Sequence, residues 1–198
     1  MKKWITLAWL CLLMTVVFSL FWYNQLVYSL PTPIPSGYKT VASGKKIHLA
    51  KGLDFRNDKP TLLHFFNPDC PCSRFNIDHF KSLVKTYRNE VNFAVVLMTN
   101  KSYTEKEIQD RFDLMVPVVK DSVMAVASGV YSTPQAVVLN SKGNLFYRGN
   151  YNKSRYCTDE KTSYANIALK NVLSHKNVSL TDQLAFKAYG CTLPNCNN

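Results

Sequence analysis

Residues 60–75 read PTLLHFFNPDCPCSRF, and the reading of the whole chain turns on them. Pro60 to Asn67 is a short apolar run between turn-forming residues, which predicts a buried strand. From Asp69 to Arg88, the residues Phe75, Phe80, Leu83, Val84 and Tyr87 recur at three- and four-residue steps. That spacing predicts a helix with one apolar face. Pro71 suits the first helical turn, where a missing N–H costs nothing. Cys70 and Cys72 therefore fall where a strand passes into a helix. Backbone N–H groups at a helix start are unpaired and the dipole is positive there, so a thiolate at Cys70 is stabilised and made reactive at neutral pH. Asp69 works against this, and Arg74 offsets part of its effect.

Outward from this junction the chain alternates strands and helices. Tyr38 to Leu49 shows hydrophobic alternation in places and predicts one or two short strands. After the Asp69–Arg88 helix, Val91 to Met98 is a strand. Thr104 to Phe112 is a helix opened by a capping box, Thr104 with Glu107 three residues on. Val116 to Lys120 is a brief strand, and Asp121 caps a short helix through Ser128. Pro134 to Asn140 and Leu145 to Arg148 form a hairpin around the turn Ser141 to Asn144. Ser163 to Leu173 is a closing helix, and the tail from Ser174 is less regular. This order predicts an α/β fold with a mixed central sheet and helices on both faces.

The N-terminus adds a second element. Lys2 and Lys3 precede Trp4 to Tyr23, twenty residues without a charge. A helix of that length spans roughly 30 Å, one hydrocarbon core. The run ends in FSLFWYNQLVYS, which lacks the small-residue pattern of a cleavage site. Trp22 and Tyr23 suit an interfacial belt, and the lysines are expected to stay cytoplasmic. The expected organisation is a cytoplasmic tip (1–3), a transmembrane anchor (4–23), a Pro-rich spacer (24–37), a main domain (38–174) and a Cys-containing C-terminal extension (175–198). The main domain is then extracytoplasmic, on the periplasmic side of an inner membrane.

Composition limits the partners. The chain carries 24 Lys and Arg against 13 acidic residues, a net charge of +11. The bases are dispersed in runs no longer than two, which reads as a solvated surface rather than a nucleic-acid stripe. Five cysteines follow the anchor: Cys70, Cys72, Cys157, Cys191 and Cys196. An extracytoplasmic compartment permits disulfides among them, and an odd number leaves one thiol over.

LLHFFNPDCPCSRF resembles the strand-to-helix active site of thioredoxin-like proteins, and VYSTPQAVVLN, Val130 to Asn140, resembles their proline loop. The resemblance covers roughly Tyr38 to Leu173. It implies a thioredoxin-like fold with Pro134 as a cis proline facing Cys70 and shaping a substrate groove. It also implies that Thr133 offers backbone groups to an extended substrate. The string DCPCSRFN, with RYC at 155–157 and AYGCTLPNC at 188–196, is similar to a group of membrane-anchored bacterial members. The implied activity is thiol–disulfide exchange through Cys70 with a thiol- or disulfide-bearing protein partner, and no cofactor.

One departure stands out. Ser73 occupies the place of the second cysteine of C-x-x-C and cannot resolve a mixed disulfide, although it can support a Cys70 thiolate by a hydrogen bond. Three outcomes stay open: Cys72 resolves Cys70, or Cys157, Cys191 or Cys196 does, or Cys70 acts as a monothiol. A second alignment instead places Asp69 in the nucleophile's position. Cys191 and Cys196 also read as a disulfide that pins the tail.

Two other classes compete. One is a non-catalytic binding module with structural disulfides. The other is soft-metal binding or delivery, for copper(I) or zinc, drawing on the five cysteines after the anchor with His64 and His79. C-x-C alone is weak support for a metal site, and His64 alternates with apolar neighbours as a core histidine does. No metal ligand set is therefore assigned. A peroxidase would need a hydroxyl three residues before Cys70, where Asn67 stands.

Overall fold

The computed structural model describes residues 2–55, 58–154, 160–177, 180 and 182–194. The chain divides into two compact units, one ending at Pro31 and the other beginning at Thr32. The first is a single helix, α1 (Lys2–Ser29). Its stretch Lys2–Asn24 is long and apolar enough to cross a membrane. The helix stops just before Pro31, which disfavours helical geometry in the residue preceding it.

The second unit is built on five strands: β1 (Thr61–Phe66), β2 (Asn92–Leu97), β3 (Val118–Val119), β5 (Gln135–Leu139) and β6 (Leu145–Gly149), in the order β3-β2-β1-β5-β6. The centre of the sheet is β1, parallel to β2 and antiparallel to β5, with His64 opposite Val95 on one side and Ala136 on the other. All six residues of β1 are buried, as a strand covered on both faces requires.

The pleat sends alternate residues to two separate cores. Leu62 and Phe66 face a cluster supplied by α2 (Pro71–Tyr87), α3 (Glu105–Phe112) and α5 (Tyr164–Leu173). Leu63 and Phe65 face a second cluster, with Met124 and Ala125 of α4 (Ser122–Ser128) and with Val41, Ile47 and Leu53 from the coil before β1. The result is a mixed sheet flanked by helices, the thioredoxin-like arrangement.

Local capping follows the sequence closely. The Thr104 side chain accepts from Glu107 N–H and the Glu107 carboxylate accepts from Thr104 N–H. Asp121 accepts from Met124 N–H at 3.0 Å to open α4.

Tyr38 to Leu49 departs from expectation. It forms no strand and makes a single antiparallel bridge between Lys46 and Asn144. Turns around Ser43 and Gly44 interrupt it, and it is held instead by Val41 and Ile47 in the core and by Ile47 N–H on the Gly143 carbonyl. Phe75, placed by its spacing on the inner face of α2, is 46% exposed. The buried side of the first turn is taken by Cys72, Ser73 and Asn76.

A last, two-stranded sheet joins β4 (Ser132–Thr133) to β7 (Cys191–Thr192), antiparallel, with Thr133 opposite Cys191. The tail thus comes back across the molecule to the end of the sheet where α2 begins.

Candidate functional site

Cys70 is the N-cap of α2, with extended backbone at φ −84° and ψ 122°, and Pro71 opens the helix. Its side chain makes no capping hydrogen bond, so its sulfur is left for other contacts. That sulfur is bonded to Cys191, with an S–S distance of 2.09 Å and Cα atoms 6.1 Å apart. It also lies 3.7 Å from the Thr133 carbonyl oxygen, within reach of a hydrogen bond once the sulfur carries a proton. The Thr133–Pro134 peptide is cis. The strand–helix junction, the proline loop and the tail therefore meet at one sulfur.

The disulfide corrects the tail reading. Cys191 does not close a short loop with Cys196, because the β4–β7 pairing sets it opposite Thr133 and beside Cys70. Among the cysteines considered for Cys70, the one bonded to it is the distant Cys191. Cys72 is buried on α2. Cys157 and Cys196 lie outside the described residues. Ser73 is fully buried, and its hydroxyl accepts from Asn67 N–H at 3.3 Å, bracing the turn that carries Cys70.

A purpose-shaped seat receives the tail. Thr32 N–H donates to the Ala188 carbonyl at 2.9 Å, and the Thr32 hydroxyl contacts Ser132 Oγ at 2.9 Å and the Gly190 carbonyl at 3.1 Å. The residue read as spacer is thus 4% exposed and part of the site. Asn150 Nδ2 donates to the Leu184 and Lys187 carbonyls at 2.7 and 2.6 Å, and its N–H donates to Ala185 O at 2.9 Å. Two glycines make room. A Cβ at Gly149 would sit 2.0 Å from the Ala185 carbonyl oxygen, and one at Gly190, where φ is +143°, would sit 2.1 Å from that of Thr133. Thr32, Ser132, Asn150 and Gly190 escaped the sequence reading. The one signal present was a glycine directly before a cysteine.

Charge near the site is neutralised. The Asp69 carboxylate accepts from Lys101 Nζ at 3.0 Å and from the Tyr103 hydroxyl at 3.1 Å. Desolvation pulls its pKa up, but these hydrogen bonds and the charges of Lys101 and Arg111 outweigh it and hold the carboxyl below its usual value. Asp69 thus reaches Cys70 as half of an ion pair rather than a bare charge.

Behind the site, His64 is fully buried on β1, stacked on Phe80, with Nδ1 2.7 Å from the Tyr151 hydroxyl. Desolvation first, then the charge of His79, lowers its pKa to about 3, so it is neutral. His79 Nε2 lies 3.0 Å from Ser163 Oγ. Among the described residues, no three His, Cys, Asp or Glu side chains group as a metal site would. An apolar recess of about 730 Å³ between α2, β2 and residues 113–117 holds none of the cysteines.

Residues 38–195 match the family described as a domain of unknown function, DUF6436. No curated protein matches the chain significantly in sequence. Among solved structures, the crystal structure of a hypothetical protein from Sinorhizobium meliloti 1021 is similar, with TM-score 0.66, 16% identity, and coverage of 78% of this chain and 95% of that one. An uncharacterized conserved protein from Geobacillus kaustophilus gives TM-score 0.61 and 16% identity over 83% and 97% of the two chains. The solution structure of a thioredoxin-like protein in the oxidized form gives TM-score 0.50 and 18% identity over 74% and 98%. At these identities the likeness shows the fold.

Proposed function

We propose that this protein, which belongs to the DUF6436 family, is a membrane-anchored extracytoplasmic thiol–disulfide exchange protein that works through Cys70. The observation that carries the reading is the Cys70–Cys191 disulfide at the first turn of α2, against the carbonyl of the cis Thr133–Pro134 peptide. A helix start stabilises the thiolate that must leave or attack in exchange. The Thr133 carbonyl is placed to accept a hydrogen bond from the Cys70 S–H in the reduced protein. The α1 helix would hold the unit at the membrane, with Lys2 and Lys3 on the cytoplasmic side.

The exchange is a two-electron balance. A partner with two thiols is oxidised to its disulfide while Cys70–Cys191 becomes two thiols, or the reverse. Each half-step moves one thiolate onto one sulfur and expels another thiolate.

The burial of Cys70, at 2% exposure, favours a second reading in which the same bond is a staple and the groove a binding surface. The bridge joins residues 121 apart in sequence. On the chain-entropy model that separation stabilises the fold by up to about 5 kcal/mol. Thiol trapping separates the two readings. In the reduced, folded protein, Cys70 alkylation is expected to reach its half-maximal rate at a lower pH than that of the same residue in the urea-unfolded chain. A half-maximal pH no lower when folded contradicts the exchange reading.

A further inference from the structure

The two sulfurs of the disulfide are not equally open. Cys70 is 2% exposed. Cys191 lies on β7, half-buried and followed by the exposed Thr192. Among the described residues β7 pairs with one strand, β4. Cys191 is thus the more exposed of the two bonded residues.

The two sulfurs also differ as leaving groups. Cys70 caps the start of α2, where unpaired N–H groups and the helix dipole favour negative charge. Cys191 sits in a two-residue strand and reaches the start of α2 only through its bond to Cys70, so it caps no helix of its own. Exchange proceeds faster when the better-stabilised thiolate leaves. Attack on Cys191 expels Cys70, whereas attack on Cys70 would have to expel Cys191.

Finally, the tail is held without the disulfide. Asn150 binds the Leu184 and Lys187 carbonyls, and Thr32 binds that of Ala188. Cys191 is three residues beyond Ala188, so a freed Cys191 stays within about 10 Å of that anchor. Such a tether gives the returning reaction a high effective concentration.

We infer that Cys191 is the sulfur that partner proteins engage, on a short arm anchored at Ala188, and that Cys70 is the internal thiolate that leaves and returns. The inference rests on the exchange reading above and names its entry point. The partner's thiolate forms a bond to Cys191 Sγ and the Cys70–Cys191 bond breaks, leaving a Cys70 thiolate. The partner's second thiolate then attacks its own sulfur in the mixed disulfide. It forms the partner disulfide and releases the Cys191 thiolate, which takes a proton. A partner with a single thiol is turned away when Cys70 attacks Cys191 again and expels it. The fitting partner is a dithiol protein whose first cysteine stands on an exposed segment.

The test treats the oxidised full-length protein in detergent with reduced glutathione in the presence of iodoacetamide, quenches with acid, and maps the peptides by mass spectrometry. Glutathione is expected on Cys191 with carbamidomethyl on Cys70, over the opposite pattern by roughly tenfold. Glutathione mainly on Cys70 overturns the inference and leaves the exchange reading standing. A Cys70–Cys191 bond unchanged by glutathione while the protein stays folded overturns both.

Discussion

Cys70 and Cys191 end in one bond but arrive there by different physics. Cys70 is placed by its neighbours in sequence: an apolar strand, a turn braced by Ser73, and a proline that opens α2. Cys191 is placed by residues more than a hundred positions away in one case, through Thr32, and by the carbonyl edge of β4 in another. The first environment is rigid and favours charge on sulfur. The second is a shallow strand on an arm. The contrast teaches that the sulfur bonded to Cys70 can come from a distant segment when the fold builds a seat for it.

Separating the two cysteines by substitution has the largest expected effect. Cys70→Ser should leave a Cys191 thiol that still forms a mixed disulfide with oxidised glutathione but can no longer release it by internal attack. Cys191→Ser should leave a Cys70 thiol that still alkylates but can no longer close an internal disulfide, as a gel-shift of alkylated thiols would show. If both variants retain the same exchange as the parent, the pair is not the site.

Damaging the seat without touching sulfur sharpens the comparison. Gly190→Ala places a Cβ 2.1 Å from the Thr133 carbonyl oxygen, at a φ of +143°. The β4–β7 pairing should be weakened by about 2–3 kcal/mol. In equilibrium with a dithiothreitol couple, Cys70–Cys191 should then reduce more readily. An unchanged equilibrium would mean that the strand pairing does not support the bond.

His64 offers a pH test of the rigid side. Its pKa is about 3 in the fold and near 6.5 in the unfolded chain, so the unfolded chain takes up a proton that the fold refuses. Stability is therefore full above about pH 6.5 and falls as pH drops toward about 3. Between about pH 7.5 and 5 the loss from this group is about 2 kcal/mol. Urea unfolding of His64→Phe should show a pH slope shallower by that amount, and an identical slope would remove the histidine from the account.

The smallest effect concerns the anchor of the arm. Asn150→Ala removes two hydrogen bonds to the Leu184 and Lys187 carbonyls, worth about 1–2 kcal/mol together. Faster amide exchange or proteolysis confined to residues 182–194 would report it. Protection equal to the parent's would show that the other contacts suffice.

The same contrast explains what the sequence made legible. The β1–α2 junction, the Thr104–Glu107 box, the Asp121 cap and the β5–β6 hairpin are encoded within a few residues and emerge as read. The Cys70–Cys191 bond does not. It depends on Thr32, Asn150 and Gly190 converging from three regions, and no periodicity records that. Lys46 and its neighbours fail as a strand for a related reason. Their alternation is real, but turns at Ser43 and Gly44 leave room for only one bridge. Phe75 fails because the first turn of α2 turns Cys72, Ser73 and Asn76 inward, Ser73 to brace the turn that carries Cys70.

Redox equilibration of the native protein tests the central claim most directly. The full-length chain is equilibrated across ratios of reduced to oxidised dithiothreitol, quenched with acid, alkylated and mapped at Cys70 and Cys191. Both sulfurs are expected to reduce together in one reversible two-electron transition while the protein remains folded. A bond that opens only when the protein unfolds would contradict the exchange reading and leave the disulfide a staple.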